Sequence, residues 1–165
     1  MNIWIIEDED DVARKACEVA ADLACERLGE HAESVKIYRV KTIEWPPELF
    51  LFGGKEEEAP ADCAKAKPAI VVLDLFDNGF KAGAFFQALR EWERNSLAAA
   101  PTLSRHQRSF VILWTGKSCR EDVIAFLQQA RERDRRVNFT ETKSRISLRQ
   151  QLEGFWRQWD EEKYQ

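Results

Sequence analysis

The chain has no apolar run near the ~18–20 residues that a membrane-crossing helix requires. It also lacks a basic start: Met1 to Asp11 turns acidic after six residues, which excludes the basic and then longer apolar pattern of a secretory signal. Cysteine is scarce and scattered. Cys17, Cys25, Cys63 and Cys119 form no C-x-x-C pair and have no nearby histidine, so a structural zinc has no ligand set. Cys17 and Cys25 share a predicted helix but sit roughly 12 Å apart at ~1.5 Å per residue, beyond the ~7 Å that a disulfide spans. His31 and His106 have no serine or cysteine partner at a strand end, which leaves nucleophilic triad chemistry without support. There is no internal repeat and no linker. These absences predict a soluble, cytoplasmic protein with reduced thiols, folded as one domain over residues 1–165.

What is present is enough to build a core. Of 165 residues, 44% are hydrophobic, and 25 basic side chains face 29 acidic ones for a net charge of −4. Ile3-Trp4-Ile5-Ile6 is a short uninterrupted apolar run, the pattern of a strand buried on both faces. Five acids follow, Glu7 to Asp11, and then Val12, Ala16, Val19 and Leu23 at the spacing of one helix face. Acids at that position suit the positive end of the helix dipole. Val35 to Val40 reads as a second strand. Between Thr42 and Lys67 the pattern dissolves: Pro46-Pro47, Gly53-Gly54, Glu56-Glu57-Glu58 and Pro60 resist a long helix. A short helical turn at Glu48 to Phe52 is allowed there, within an extended surface loop whose length suggests a function.

Ala69 to Leu73 is the strongest strand signal and ends at Asp74. A turn at Asp77-Asn78-Gly79 leads to a helix from about Ala82 to Asn95. Phe110 to Trp114 is a fourth strand, ending at Thr115-Gly116. Ser118 and Glu121 have capping-box spacing ahead of a helix with Val123, Leu127 and Ala130 on one face. A short strand around Asn138 to Thr140 follows. Ser147 and Gln150 repeat the capping-box spacing before Leu148, Leu152, Phe155, Trp156 and Trp159. Alternating strands and helices predict an α/β fold: a doubly wound, five-stranded parallel sheet in the order 2-1-3-4-5.

In such sheets ligands bind beyond the carboxyl ends of the strands, where strand order reverses. Those ends carry Glu7-Asp8, Asp74 and Thr115, with Lys143 just past the fifth strand. Three carboxylates would share one pocket. Two like charges ~4 Å apart repel by about 4 kcal/mol at an effective dielectric of ~20, so a proton or a cation must join them. An all-oxygen set at a partly hydrated cleft suits Mg²⁺. An ammonium and a hydroxyl alongside are what phosphoryl transfer needs, because it rests on positioning and charge neutralisation.

With Ile5-Ile6-Glu7-Asp8-Glu9-Asp10, Val71-Val72-Leu73-Asp74-Leu75, Leu113-Trp114-Thr115-Gly116 and Lys143 in that order, the chain resembles a response-regulator receiver domain of bacterial two-component signalling. The resemblance runs over nearly the whole chain. It implies a flavodoxin-like receiver fold without an output domain. It also implies that Asp74 accepts a phosphoryl group from a histidine kinase or phosphotransfer protein. Glu7, Asp8, Asp74 and the main-chain carbonyl of Phe76 would hold Mg²⁺. Thr115 would be the switch hydroxyl, and Lys143 would contact the phosphoryl group. The protein would act as a switch rather than an enzyme with its own substrate, signalling to a downstream protein or through a homodimer.

The pattern departs from the family in places. Ser144 stands where a proline, preceded by a cis peptide, usually follows the lysine, which favours a trans bond and a displaced Lys143. Thr140 stands where an aromatic switch residue usually lies. The Thr42–Lys67 stretch replaces at least part of a helix. Two other readings therefore stand beside the first: a phosphorylation-independent binding module, and a Mg²⁺-dependent phosphohydrolase, whose usual second aspartate is here Phe76. Glu9, Asp10 and Asp11 read as a solvated helix start, and the tryptophans as core, with Trp156 and Trp159 an alternative partner surface. Charge is uneven. Residues 1–34 carry 3 basic and 10 acidic side chains, and residues 103–149 carry 11 basic and 5 acidic. The Arg131–Arg136 cluster reads as a solvated helix end rather than a nucleic-acid surface, and no membrane contact is expected.

Overall fold

The computed structural model describes residues 1–53, 61–74, 79–99, 108–115, 121–140 and 142–163; the side chains at 79–80, 97–99, 122–124 and 163 are outside that description. Strand β1 (Asn2–Ile6) lies at the centre, with Ile3 to Ile6 wholly buried. It pairs in parallel with β2 (Lys36–Val40) on one side and β4 (Ile70–Leu73) on the other. Beyond β4 come β5 (Phe110–Leu113) and β6 (Val137–Phe139), also parallel. A two-residue strand, β3 (Phe50–Leu51), runs antiparallel outside β2. The sheet is therefore six-stranded and mostly parallel, in the order β3-β2-β1-β4-β5-β6.

The strands run as continuous apolar stretches because both faces are covered, and side chains alternate between the two faces. Ile3 and Ile5 face helix α1 (Asp10–Leu28), through Ala16, Cys17, Ala20 and Leu23, and helix α4 (Arg145–Lys163), through Leu148, Leu152, Phe155 and Trp156. Trp4 and Ile6 face α2 (Gly79–Ala99), through Ala82, Phe85 and Leu89, and α3 (Glu121–Arg133), through Ala130. Trp156 belongs to the core and Trp159 packs against it. The alternative of a partner surface at these two residues does not match this packing. Gly29, at φ 52°, ends α1 in a conformation that side chains disfavour.

Several local expectations need correction. The sheet gains a sixth strand, and the helical turn expected at Glu48 to Phe52 is instead the strand β3. Two residues show no readable period, and only their pairing with Tyr38 and Arg39 makes them a strand. The stretch 42–67 is not merely a surface loop, because Leu49 and Ala66 are buried. Trp45 packs 5.5 Å from Phe85 and 5.7 Å from Trp92, and the Trp4 indole N–H donates to the Ala66 carbonyl at 2.8 Å. The described parts of this stretch, 42–53 and 61–67, thus cover the sheet beside α2. Asp77, Asn78, Ser118 and Cys119 are outside the described residues.

Part of the uneven charge is answered by pairs between α1 and α4. Arg145 pairs with Glu18 at 2.5 Å, Arg149 with Glu26, and Arg27 with Asp160 at 3.3 Å, joining α1 to α4. Such exposed pairs contribute only ~0–1 kcal/mol each, so they set register more than stability. Among the described residues no helix is long and apolar enough to cross a membrane.

Cys17, Cys25 and Cys63 are free thiols. Burial pushes the Cys17 thiol up from 9.0 to about 12. The unfolded chain releases that proton first, so stability is untouched below an ordinary thiol value and falls as pH climbs from there towards the folded value. In the native protein at about pH 8, a disulfide reagent should modify exposed Cys25 promptly and Cys17 only after urea unfolding. Peptide mass mapping that found Cys17 labelled as fast as Cys25 would contradict the packing.

Candidate functional site

The site arises from strand register. Ile6 lies opposite Leu73, and the ladder continues one residue further: the Asp74 N–H donates to the Ile6 carbonyl at 3.0 Å, and the Glu7 N–H to Val40 at 3.1 Å. Adjacent strands therefore deliver Glu7 and Asp74 side by side at their carboxyl ends. Glu7 is 1% exposed and Asp74 7%, whereas Asp8 reaches solvent. One carboxylate oxygen from each of the three lies within 4.8 Å of the others.

Lys143 completes the cluster. Its Nζ lies 2.6 Å from Glu7 Oε2, an ion pair without well-aligned hydrogen-bond geometry, and donates to Asp74 Oδ1 at 3.0 Å. The other Glu7 oxygen accepts the Glu9 N–H at 3.0 Å. Burial raises the Glu7 carboxyl above its usual range, helped by the neighbouring Asp74 charge and opposed by Lys143 and the Glu9 N–H. For Lys143, burial alone would favour the neutral amine; the bonds to Glu7 and Asp74, with their charges, outweigh it and raise its pKa. Lys143 thus stays an ammonium through the neutral range.

Of the residues singled out from sequence, Glu7, Asp8, Asp74 and Lys143 come together. Thr115, 9% exposed, stands two residues past Leu113 at the same end of the sheet. Phe76 is outside the described residues. The expected displacement of Lys143 is not seen. Among the described residues the one cis peptide is Trp45–Pro46, so the bond to Ser144 is trans, yet Lys143 reaches both carboxylates.

What holds the loop is a cap the sequence reading set three residues too late. Ser144, not Ser147, is the N-cap of α4: its Oγ accepts the Ser147 N–H at 3.1 Å, and Ser147 Oγ accepts the Ser144 N–H at 3.4 Å. Ser147 Oγ also donates to the Thr142 carbonyl at 2.6 Å. Here serine fills the place usually held by glutamate or glutamine, so the pattern was easy to overlook. A second residue missed from sequence is Trp114, whose ring centroid lies 5.4 Å from Lys143 Nζ.

Chemically, the cluster joins three carboxylates to one ammonium and retains negative charge. Oxygens sharing one small divalent cation lie no more than about 4.2 Å apart at ~2.1 Å per bond, so the observed set needs little contraction to hold one. The donor chemistry and the residual charge both fit a metal ion. No protein-family model, no curated protein and no solved structure matches the chain.

Ser144→Ala should lower the unfolding free energy by about 1 kcal/mol through loss of the cap, measured by urea denaturation, with Ser144→Asp restoring most of it. An alanine variant as stable as the parent would remove the cap from this account.

Proposed function

We propose that the protein is a receiver-type signalling switch that accepts a phosphoryl group on Asp74 with Mg²⁺ bound beside it. The observation carrying this reading is the convergence of Glu7, Asp8 and Asp74 with the Lys143 ammonium at the ends of neighbouring parallel strands. The order of the five parallel strands, β2-β1-β4-β5-β6, also supports a flavodoxin-like receiver fold, with β3 an addition at the edge.

In this reading an Asp74 oxygen attacks phosphorus. The new bond joins phosphorus to that oxygen, and the broken one frees the donor, a histidine ring nitrogen or, with a small donor, acetate. Lys143 offsets the negative charge brought by the phosphoryl oxygens, and Thr115 donates its hydroxyl to one of them. Glu7 and Asp8, with Asp74 and the Phe76 carbonyl, would hold Mg²⁺. That cation supplies further charge neutralisation when bound. Buried Glu7 keeps Lys143 in place by its ion pair, and the Glu9 N–H fixes the carboxylate plane. The signal then passes by protein contact, to a downstream partner or a second copy, because phosphorylation alters charge at a rim shared with the start of α4.

A second reading is a phosphorylation-independent binding module of the same fold. It is favoured by Lys143 already pairing with two of the three carboxylates, which leaves the resting cluster partly neutralised.

Incubation with acetyl phosphate and Mg²⁺ should add about 80 Da to the intact chain and nothing to Asp74→Asn. Omission of Mg²⁺ should abolish the adduct. A parent protein that stays unmodified, with donor and metal in excess, would favour the binding module. Mg²⁺ should also raise thermal stability, by about 1.4 kcal/mol at tenfold above its dissociation constant, and Asp8→Asn should weaken that response.

A further inference from the structure

Lys143 sits one residue before the Ser144 cap, which fixes the backbone of the loop but not the far end of the lysine side chain. The following residue is a serine, the intervening peptide is trans, and its ammonium ends a long flexible stem. One face of that ammonium meets carboxylates and another meets an aromatic ring. Nζ lies 5.4 Å from the centroid of Trp114, inside the ~6 Å range of cation–π attraction, which is strongest for tryptophan.

Among the described residues, the buried indole N–H of Trp114 has no hydrogen-bond partner, and the same is true of the Thr140 hydroxyl. The two residues are neighbours across the end of the sheet, because the Thr140 N–H donates to the Leu113 carbonyl at 3.1 Å. A phenylalanine would fill space here without stranding an N–H. Tryptophan carries that cost, and what it supplies in return is a broader and more electron-rich face under the ammonium. Trp114 is 2% exposed and packed in the core that α1 and α4 share, so its ring cannot drift.

We propose that Trp114 is a positioning residue: its fixed ring face holds the Lys143 ammonium, at the end of its flexible stem, at the height of Glu7 and Asp74. The inference rests on Lys143 being the working cation of the site, as argued above, but its test does not require phosphorylation. In protein carrying ¹³C-labelled lysine, the Hε protons of Lys143 should be shifted upfield by the ring current of Trp114. Lys143→Gln assigns the signal by removing it. Trp114→Leu should abolish the shift and slow phosphorylation of Asp74 by acetyl phosphate roughly twofold to thirtyfold, the range a single cation–π contact spans. Trp114→Phe should retain part of the shift and most of the rate.

An unchanged Lys143 signal in Trp114→Leu would overturn the proposal. Should that variant fail to fold, Trp114→Phe decides, since its smaller ring must reduce the shift without erasing it; an identical signal would overturn the proposal too. If the parent accepts no phosphoryl group, the receiver reading falls, while the signal still reports whether Trp114 holds Lys143.

Discussion

The pairing of one ammonium with two buried carboxylates is the constraint on which the rim of this sheet depends. Parallel register forces Glu7 and Asp74 together at the ends of β1 and β4, and burial makes their charge costly. Lys143 answers that cost from a segment 69 residues further along the chain than Asp74. Its position then determines where β6 must end and where α4 must begin, because the cap of α4 is the next residue. The rim of the sheet and the start of α4 are thus coupled through this one pairing. Breaking a buried charge pair of this kind by removing one partner typically costs ~3–5 kcal/mol, so the cluster is under structural constraint whatever it binds.

Most of the scaffold was legible because its strands are buried on both sides. Ile3–Ile6, Ile70–Leu73 and Phe110–Leu113 are continuous apolar runs; the first two end directly at Glu7 and Asp74, and the third, after Trp114, at Thr115. The helices α1 and α4 were legible from their apolar stripes. Glu7, Asp8 and Asp74 followed from strand ends alone, whereas Lys143 lies beyond the end of β6 and was singled out by position past the last strand and by resemblance.

What escaped the sequence reading has a common physical origin. The strand β3 is two residues long and exists through pairing with β2, so no local period announces it. The cover formed by Leu49 and Ala66, both buried, and Trp45, partly buried, uses irregularly spaced residues packed with the sheet and α2. The cap at Ser144 was hidden by the weaker Ser-x-x-Ser signature, while Ser147 with Gln150 matched the stronger pattern one turn too late. Trp114 read as ordinary core, which it is; its contact with Lys143 depends on the loop after β6 folding back over the end of β5.

The hydrogen bond from Trp4 to the Ala66 carbonyl has a consequence for how the molecule assembles. It joins partners 62 residues apart, and the entropy lost in closing so long a loop must be met by contacts already made. The pairing of Ile3 with Ile70 closes a loop of similar size, so the entropy of bringing these distant segments together is met once for both. The irregular cover is thereby tied to the same closure that joins β1 to β4, and the indole anchors it there at little further entropic cost.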